Sequence, residues 1–354
     1  MSELSAAQEA TYAQSLRPFF HPIATLDELK QVGRDEHGMQ RVLARELLGD
    51  RIVIAELQGQ VVAMSGTCPH RGSALALGWV NSEGTGVACR YHGFEWGPTG
   101  AICRIPALEA AGLPLPGGKN WRNDAYPTVV KYGLIWVCLE PEAKIPIMPV
   151  PESDDPSFIA LPIAERVWEA GLGRTIEGSL DTYHFAFTHR GTIGDPARPE
   201  APKARVSLDG PFFYLEYDIH QPKNPTVTYD ADAAAGSDLP GFVTSHYQFW
   251  AAPNAVRMRK TSGKVRFSVL VAMCPQNARR TRLYRILYPG RDWAVDHEEF
   301  QRTQDRVQAE DREVVESARP WELRVDLDAE LHAVMDRPTV AYRRWLASMG
   351  IEFL

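Results

Sequence analysis

Two short segments each place a cysteine beside a histidine. GTCPHRG contains Cys68 and His70, and ACRYHGFEW contains Cys89 and His92. Thiolates and imidazoles are the donor groups with which proteins hold zinc and iron. A glycine follows each histidine at a short distance, which suits a tight loop. The two segments together predict one metal site with four ligands.

The order of the ligands separates two kinds of site. A structural zinc site also uses two Cys and two His, but a zinc finger keeps its cysteines together and its histidines together on a helix. A Rieske [2Fe-2S] cluster has two thiolates on one iron and two imidazoles on the other. One Cys and one His then come from each of two loops. The mixed pairs favour the cluster, with structural zinc as the alternative.

A second group of metal-binding side chains lies in IEGSLDTYHFAFTHR, which contains Asp181, His184 and His189. Asp181 and His184 share one face of a helix, whereas His184 and His189 point about 140° apart on a continuous helix. Both imidazoles therefore bind one metal only if the helix ends or bends between them. A carboxylate one turn before a ligating histidine orients its ring. A pair of structural histidines is the alternative.

Two imidazoles leave a divalent ion short of ligands, and the acidic segment EEFQRTQDRVQAEDREVVESA offers a third. Its predicted apolar stripe consists of Phe300, Val307, Val314 and Ala318. Asp311 falls within this stripe, where a bare carboxylate is costly unless it is paired or binds a metal. The helical wheel places Asp305, Glu313 and Glu316 on the opposite side and Glu310 on the flank. Pairing of Asp311 with a neighbouring arginine is the alternative.

His184, His189 and Asp311 together match a 2-His-1-carboxylate set, which leaves positions on Fe(II) open for O2 and substrate. With both metal motifs in one chain, the sequence resembles the catalytic subunit of Rieske non-haem iron oxygenases. That family has loops of the form C-P-H-R-G and C-x-Y-H-G and a second motif D-x2-H-x4-H. The likeness runs from LRPFFHPIATLDEL to YRRWLASMG. One departure is Glu177-Gly178, where many relatives have Asn.

The resemblance implies an α+β fold with three parts. Residues 1–40 are expected to form an N-terminal segment that packs on the core, and residues 41–150 an all-β Rieske domain. Residues 151–354 are expected to form a catalytic domain with an antiparallel helix-grip sheet and flanking helices.

The residue pattern agrees with this division. Short β-type runs with Gly and Pro turns precede the proline-rich stretch 143–158, which predicts a linker. Alternating runs such as KVRFSVLVAMCP predict antiparallel strands after it. Helices are predicted around 174–189, from Asp292 to about Ser317, and in TVAYRRWLASMG, which Gly350 would close.

The resemblance also implies an enzyme, the terminal component of a monooxygenase system. The [2Fe-2S] cluster would receive electrons from a separate NAD(P)H-dependent reductase or ferredoxin, and a mononuclear Fe(II) would use O2 to oxygenate a small aromatic or heteroaromatic substrate. The stretches HFAFTHRGTIGDP, AEDREVVES and YRRWL look similar to those of methylxanthine N-demethylases and, more distantly, aromatic O-demethylases, which implies oxidative N- or O-demethylation. The implied assembly is a homotrimer in which Asp181 links His184 to His92 of the partner subunit.

Two other functions stay open from the sequence. Within the oxygenases, the alternative is hydroxylation of the ring or side chain of an aromatic acid or a steroid-like substrate. Outside them, a Rieske-type electron-transfer protein would need only about the first 150 residues. Phe249, Trp250 and Met258 are candidates for substrate contact, although core packing is the favoured interpretation.

Composition excludes several classes of partner. A formal charge of −7 without a long basic run argues against nucleic acid and anionic membranes. The sequence has neither a signal-peptide pattern nor an apolar run of about 18 residues, which predicts a cytoplasmic protein. Five cysteines, an odd number, do not suit a disulfide framework. Cys103, Cys138 and Cys274 match no ligand position and are expected to be small buried hydrophobic residues.

Overall fold

The computed structural model describes residues 4–118, 120–223 and 241–354. Residues 1–3 of the predicted N-terminal segment and 224–240 of the predicted catalytic domain lie outside the described part. The chain divides into two compact units. The first is Arg17–Pro146, and the second combines the chain up to Leu16, including helix α1 (Ala6–Leu16), with Ile147–Leu354.

Three antiparallel sheets make up the first unit, as predicted for a Rieske-type β domain. The strands are β1 (His21–Thr25), β2 (Leu43–Leu47), β3 (Asp50–Leu57), β4 (Gln60–Ser65), β5 (Trp79–Val80), β6 (Val87–Ala88), β7 (Glu95–Trp96), β8 (Ile102–Arg104), β9 (Ala125–Tyr126), β10 (Thr128–Lys131) and β11 (Leu134–Val137). The helices are α2 (Leu26–Lys30), α3 (Pro106–Ala110) and the 3-10 turn Leu75–Leu77. The strand orders are β1-β11-β10, β2-β3-β4-β9 and β5-β6-β7-β8.

Alternate residues of these short strands build the core of the first unit. Val53 and Leu57 of β3 pack with Met64 of β4 and Val87 of β6. Burying each such side chain contributes roughly 1.5–3 kcal/mol. The same core contains two of the predicted cluster ligands, Cys68 and Cys89.

A seven-stranded antiparallel sheet forms the centre of the second unit and confirms the predicted sheet. Its strands are β12 (Ala164–Trp168), β13 (Arg205–Asp209), β14 (Phe212–Pro222), β15 (Phe242–Ala252), β16 (Ala255–Ser262), β17 (Val265–Asn277) and β18 (Arg280–Pro289), in the order β12-β18-β17-β16-β15-β14-β13. Val265, Phe267 and Val269 of β17 lie on one face, as their alternation predicts, and pack against Leu287 of β18.

Helices flank this sheet. They are α4 (Leu172–Leu180), α5 (Phe185–Thr188), α6 (His297–Ser317) and α7 (Arg337–Ser348), with 3-10 turns at Pro151–Ser153, Leu327–Ala329 and Val334–Asp336. Asp296 caps α6 by accepting hydrogen bonds from the backbone N–H groups of Glu298 and Glu299. After α7, Gly350 has the positive φ of +76° that a helix end of this kind needs. Within the described residues, no helix is long and apolar enough to span a bilayer.

The helical wheel of α6 was wrong at two positions. Val314, predicted in the buried stripe, is 52% exposed. Asp305, predicted on the outer side, accepts a hydrogen bond from Arg285 of β18 at 2.5 Å. The wheel assumed that one stripe faces the core along the whole helix. In the structure the buried residues of α6, Phe300 and Thr303, both lie near its start.

Candidate metal centres and the cavity beside them

The chain breaks its helix where a common metal site requires it. α4 ends at Leu180 and α5 begins at Phe185, so the single helix predicted around 174–189 is wrong, and Asp181 and His184 do not share a helix face. Asp181 follows α4 with an extended backbone, ψ 128°, and its carboxylate accepts a hydrogen bond from the Tyr183 N–H at 2.8 Å. A side chain that bonds its own backbone two residues on favours such a turn. α5 then ends before His189, whose backbone leaves the helical conformation (φ −98°, ψ 31°), so His184 and His189 can face the same point.

The predicted mononuclear ligands lie together. The Nε2 atoms of His184 and His189 are 3.1 Å apart, and Asp311 Oδ1 lies 3.4 Å from the first and 3.1 Å from the second. Three donors on one face of an octahedral ion, each about 2.1 Å from the metal, are about 3.0 Å from one another. The observed spacing fits such a face. His189 is buried; His184 and His189 lie at the two ends of α5, and Asp311 lies on α6.

The charges around His184 favour a cation at this point. Burial lowers the pKa of His184, but Asp181 and Asp311 outweigh it and raise that pKa to about 9. Burial raises the pKa of Asp311, yet hydrogen bonds to His184 and His189 hold it below its usual value. The site thus stabilises positive charge, as expected for a metal centre.

Glu310 belongs to this site, although the sequence reasoning placed it on the flank of α6. Its Oε2 lies 2.8 Å from His189 Nδ1, and its Oε1 accepts a hydrogen bond from the Thr192 hydroxyl at 2.6 Å. A carboxylate that accepts a hydrogen bond from the Nδ1–H group keeps the proton on Nδ1, and Nε2 of the same ring is then free to bind a metal. The position of Glu310 next to Asp311 could have predicted this role. Neighbouring residues of a helix point only about 100° apart, so both carboxylates can reach the same histidine from two sides.

Asp181 stands beside His184 without bonding it. Their Oδ2 and Nδ1 atoms are 3.6 Å apart, which is longer than a hydrogen bond. His184 Nδ1 is buried and has no hydrogen-bond partner among the described residues. The orienting role of Asp181 stays a prediction.

Glu177 and Gly178, where the sequence departs from the family it resembles, have separate structural contacts. Glu177 forms two hydrogen bonds with Arg343 of α7, at 2.7 and 2.8 Å. A Cβ added at Gly178 would lie 3.3 Å from Cγ2 of Val315, so glycine lets α4 approach α6 closely.

The four predicted cluster ligands, Cys68, His70, Cys89 and His92, lie in two loops of the same geometry. In one, the Gly72 N–H donates to the Cys68 carbonyl at 2.9 Å; in the other, the Gly93 N–H donates to the Cys89 carbonyl at 2.8 Å. Both glycines have φ near +70°, a conformation that other residues rarely adopt. The repeated geometry places both cysteines inside and the His70 and His92 rings 4.8 Å apart at the outer end.

The chemistry of this pocket fits an iron-sulfur cluster. Burial raises the pKa of the Cys68 thiol, so a pair of thiolates here needs positive charge such as iron. The buried indole N–H of Trp96 lies in the same core as both cysteines, and its interaction with Cys68 opposes the rise in that pKa, so it is placed to donate to sulfur. Of the other cysteines, Cys138 and Cys274 are buried as expected, whereas Cys103 is exposed, contrary to expectation.

A cavity of about 150 Å³ adjoins His184, His189 and Asp311. Its apolar lining includes Phe185, Tyr247, Phe249, Met258, Phe267 and Val269. Phe249 and Met258 thus both pack in the sheet and face the cavity, while Trp250 hydrogen-bonds Asp209 and is outside the lining. A cavity of this volume accommodates one benzene ring.

Each half of the chain matches a known protein family. Residues 23–124 match the Rieske [2Fe-2S] domain, and residues 168–352 match the vanillate O-demethylase oxygenase C-terminal domain. Methylxanthine N3-demethylase NdmB of Pseudomonas putida is 28% identical over 353 residues, 98% of this chain and 92% of NdmB. Methylxanthine N1-demethylase NdmA of the same species is 29% identical over 336 residues, 94% and 89% of the two chains.

Solved structures give the same result. NdmA of Pseudomonas putida CBB5 with caffeine has a TM-score of 0.77 and 28% identity, covering 95% of this chain and 92% of NdmA. Dicamba monooxygenase bound to dicamba shares the fold, with a TM-score of 0.70 at 18% identity over 94% of this chain and 97% of that one. Because the C-terminal match alone spans more than half of the sequence, the chain belongs to the Rieske non-haem iron oxygenases, which use a [2Fe-2S] cluster and a mononuclear iron.

Proposed function

We propose that this chain is the oxygenase component of an oxidative demethylase that removes an N- or O-methyl group from a small aromatic or heteroaromatic substrate. The observation that carries the proposal is the set of His184, His189 and Asp311 donors at the wall of an aromatic-lined cavity. The methylxanthine N-demethylases among its relatives support the reaction. The volume supports a substrate of about one ring rather than a steroid.

In this proposal the Rieske domain is residues 41–150 and the catalytic domain residues 151–354. Cys68, His70, Cys89 and His92 would hold the [2Fe-2S] cluster, and His184, His189 and Asp311 the mononuclear iron, which supplies O2 activation when reduced. Hydroxylation of the methyl carbon would yield a hemiacetal or hemiaminal that releases formaldehyde.

The protein's own side chains would position the reaction. Phe249 and Phe267 line the cavity and would hold the ring while excluding water. Glu310 would keep the Nδ1 proton on His189, so that Nε2 stays a ligand. Fixing the ring limits oxidation to the methyl group that faces the metal donors.

Electron transfer would take place between subunits of a head-to-tail homotrimer. His92 is exposed, and Tyr91 beside it is 62% exposed. A surface recess holds Asp181 together with the exposed side chains Val314 and Leu331. Exposed apolar side chains near His92 and near Asp181 are typical of surfaces that bind another protein chain. Asp181 would face His92 of the partner subunit, and a separate NAD(P)H-dependent reductase or ferredoxin in the cytoplasm would reduce the cluster.

The test is turnover of methylated aromatics by the purified protein with a surrogate reductase, NADH and O2. The expected result is formaldehyde formed in proportion to O2 consumed, and loss of both in His189→Ala. A hydroxylated product that keeps its methyl group would instead assign a hydroxylase. Reduction of the cluster without any O2 consumption by reduced protein and substrate would assign an electron carrier.

A further inference from the structure

Lys260 places an amine in the lining of the cavity beside His184, His189 and Asp311. It lies on β16 in the cavity lining and is 6% exposed. Its neighbours across the sheet are Tyr247 of β15 and Phe267 of β17. The ammonium nitrogen is 5.1 Å from the centre of the Tyr247 ring and 6.0 Å from that of Phe267. Both rings also line the cavity, so the cation and the two rings share one space.

The protein pairs its other buried cations of this unit with carboxylates. Arg257 bonds Glu152 at 2.8 Å, Arg285 bonds Asp305 at 2.5 Å, and Arg343 bonds Glu177 at 2.7 Å. Within residues 4–118, 120–223 and 241–354, Lys260 has no carboxylate partner, and its contacts are the two aromatic rings. Burial accordingly lowers the pKa of Lys260 to about 7.

An unpaired ammonium in an apolar cavity is costly, and a methionine would fill the same space without that cost. The cost is offset if a ligand brings the missing negative charge, because a charge-assisted bond in a dry site is strong. A neutral heteroaromatic substrate would gain little from it.

We propose that Lys260 binds a carboxylate on the substrate, so that the natural substrate is a methylated aromatic acid. This rests on the proposed function and names its substrate class. With room for one ring, the cavity suits a carboxylate better than a bulkier sulfonate or phosphate. The ring would lie among Tyr247, Phe249 and Phe267, with its acid group at Lys260 and its methyl group toward the metal donors.

The experiment compares binding of methoxybenzoates with that of the corresponding methoxybenzamides, which match them in shape but are neutral. Calorimetry on the metal-loaded protein without reductase measures affinity without turnover. We expect at least one methoxybenzoate isomer to bind at least about tenfold more tightly than its amide. Lys260→Met should abolish that preference while changing the affinity for the amide less than about threefold. Lys264→Met, which removes an exposed lysine just after β16, is the matched control and should keep the preference.

Three results would overturn the proposal: no wild-type preference for any acid, a preference that survives in Lys260→Met, or its loss in the Lys264→Met control. Lys260→Gln, a second neutral variant, should repeat the loss, so the result does not depend on one protein preparation. A purely structural lysine predicts that Lys260→Met melts at a lower temperature, whereas a binding lysine predicts an equal or higher one.

The result is separable from the demethylase proposal. If benzoates bind through Lys260 but no formaldehyde forms on turnover, demethylation is wrong and the charge selection stands. If methoxybenzoates bind equally to wild type and Lys260→Met, and methylated aromatics release formaldehyde on turnover, the demethylase stands and the role of Lys260 falls.

Discussion

At the scale of single residues, Glu310 is expected to control how tightly the mononuclear site binds iron. Its carboxylate lies 2.8 Å from His189 Nδ1. Glu310→Ala should weaken Fe(II) binding by about 10–100-fold, because His189 loses the group that orients it. Competition with a chelator measures the affinity, and the visible spectrum of the cluster should not change. Glu313→Ala, on the exposed side of α6, is the control. Equal iron affinity in Glu310→Ala would remove Glu310 from the site.

Lys260 also predicts how stability depends on pH. Its ordinary pKa of 10.5 applies in the unfolded chain, and the folded value is about 7. The unfolded state therefore binds more protons between these values, and the lysine destabilises the fold increasingly as pH falls from 10.5 to 7. Lys260→Met should be more stable than wild type at pH 6.5 by about 1–4 kcal/mol.

That advantage should shrink at pH 9.5, where most of the penalty on the wild type has gone. Denaturant unfolding of both proteins at the two pH values measures it, and comparing the variant with wild type cancels the titration of other groups. An advantage that is the same at both pH values, or larger at pH 9.5, would contradict the assigned pKa.

At the scale of elements, α4 packs against α6, and we expect this packing to fix how near His184, four residues after α4, lies to Asp311. A side chain at Gly178 would meet Val315. Gly178→Val should cost about 1–3 kcal/mol by overpacking and separate the two helices. The mononuclear iron should then be lost while the cluster stays, which metal analysis and the visible spectrum distinguish.

The matched control restores the space. Gly178→Val combined with Val315→Ala should recover iron binding at least in part, because the two changes are opposite in volume. A single variant that keeps full iron occupancy would show that the close approach is not required.

Features that depend on neighbouring residues could be predicted from the sequence, whereas features that depend on distant contacts could not. Ligands within one loop depend on a few neighbouring residues, so the spacing of Cys68 and His70 predicted a loop site. The five-residue spacing of His184 and His189 likewise predicted a helix end between them, and α5 ends at Thr188. The rotation of α6 depends on distant partners, Arg285 among them, and a helical wheel contains no such partners. The wheel therefore misplaced Asp305 and Val314. Lys260 escaped notice because a lysine within a strand pattern looks solvent-exposed until the cavity is known.

At the scale of the whole molecule, the proposal requires electrons to cross between chains. Cys89→Ser should remove the cluster, and His189→Ala should remove the mononuclear iron. Each variant alone should be inactive, but trimers assembled from equal amounts of both should regain roughly a quarter of wild-type activity. Half of the chains then hold the mononuclear iron, and half of those chains have a neighbour that carries the cluster, which gives one quarter. Formaldehyde release by coexpressed, differently tagged chains measures this. Mixed trimers without activity would contradict transfer between subunits.

The central claim is that one chain holds two separate iron sites, and metal analysis of the purified protein tests it most directly. The account predicts three irons and two acid-labile sulfides per chain, falling to two irons in His189→Ala and one in Cys89→Ser. Protein that is colourless, contains zinc in place of iron and lacks labile sulfide would contradict it.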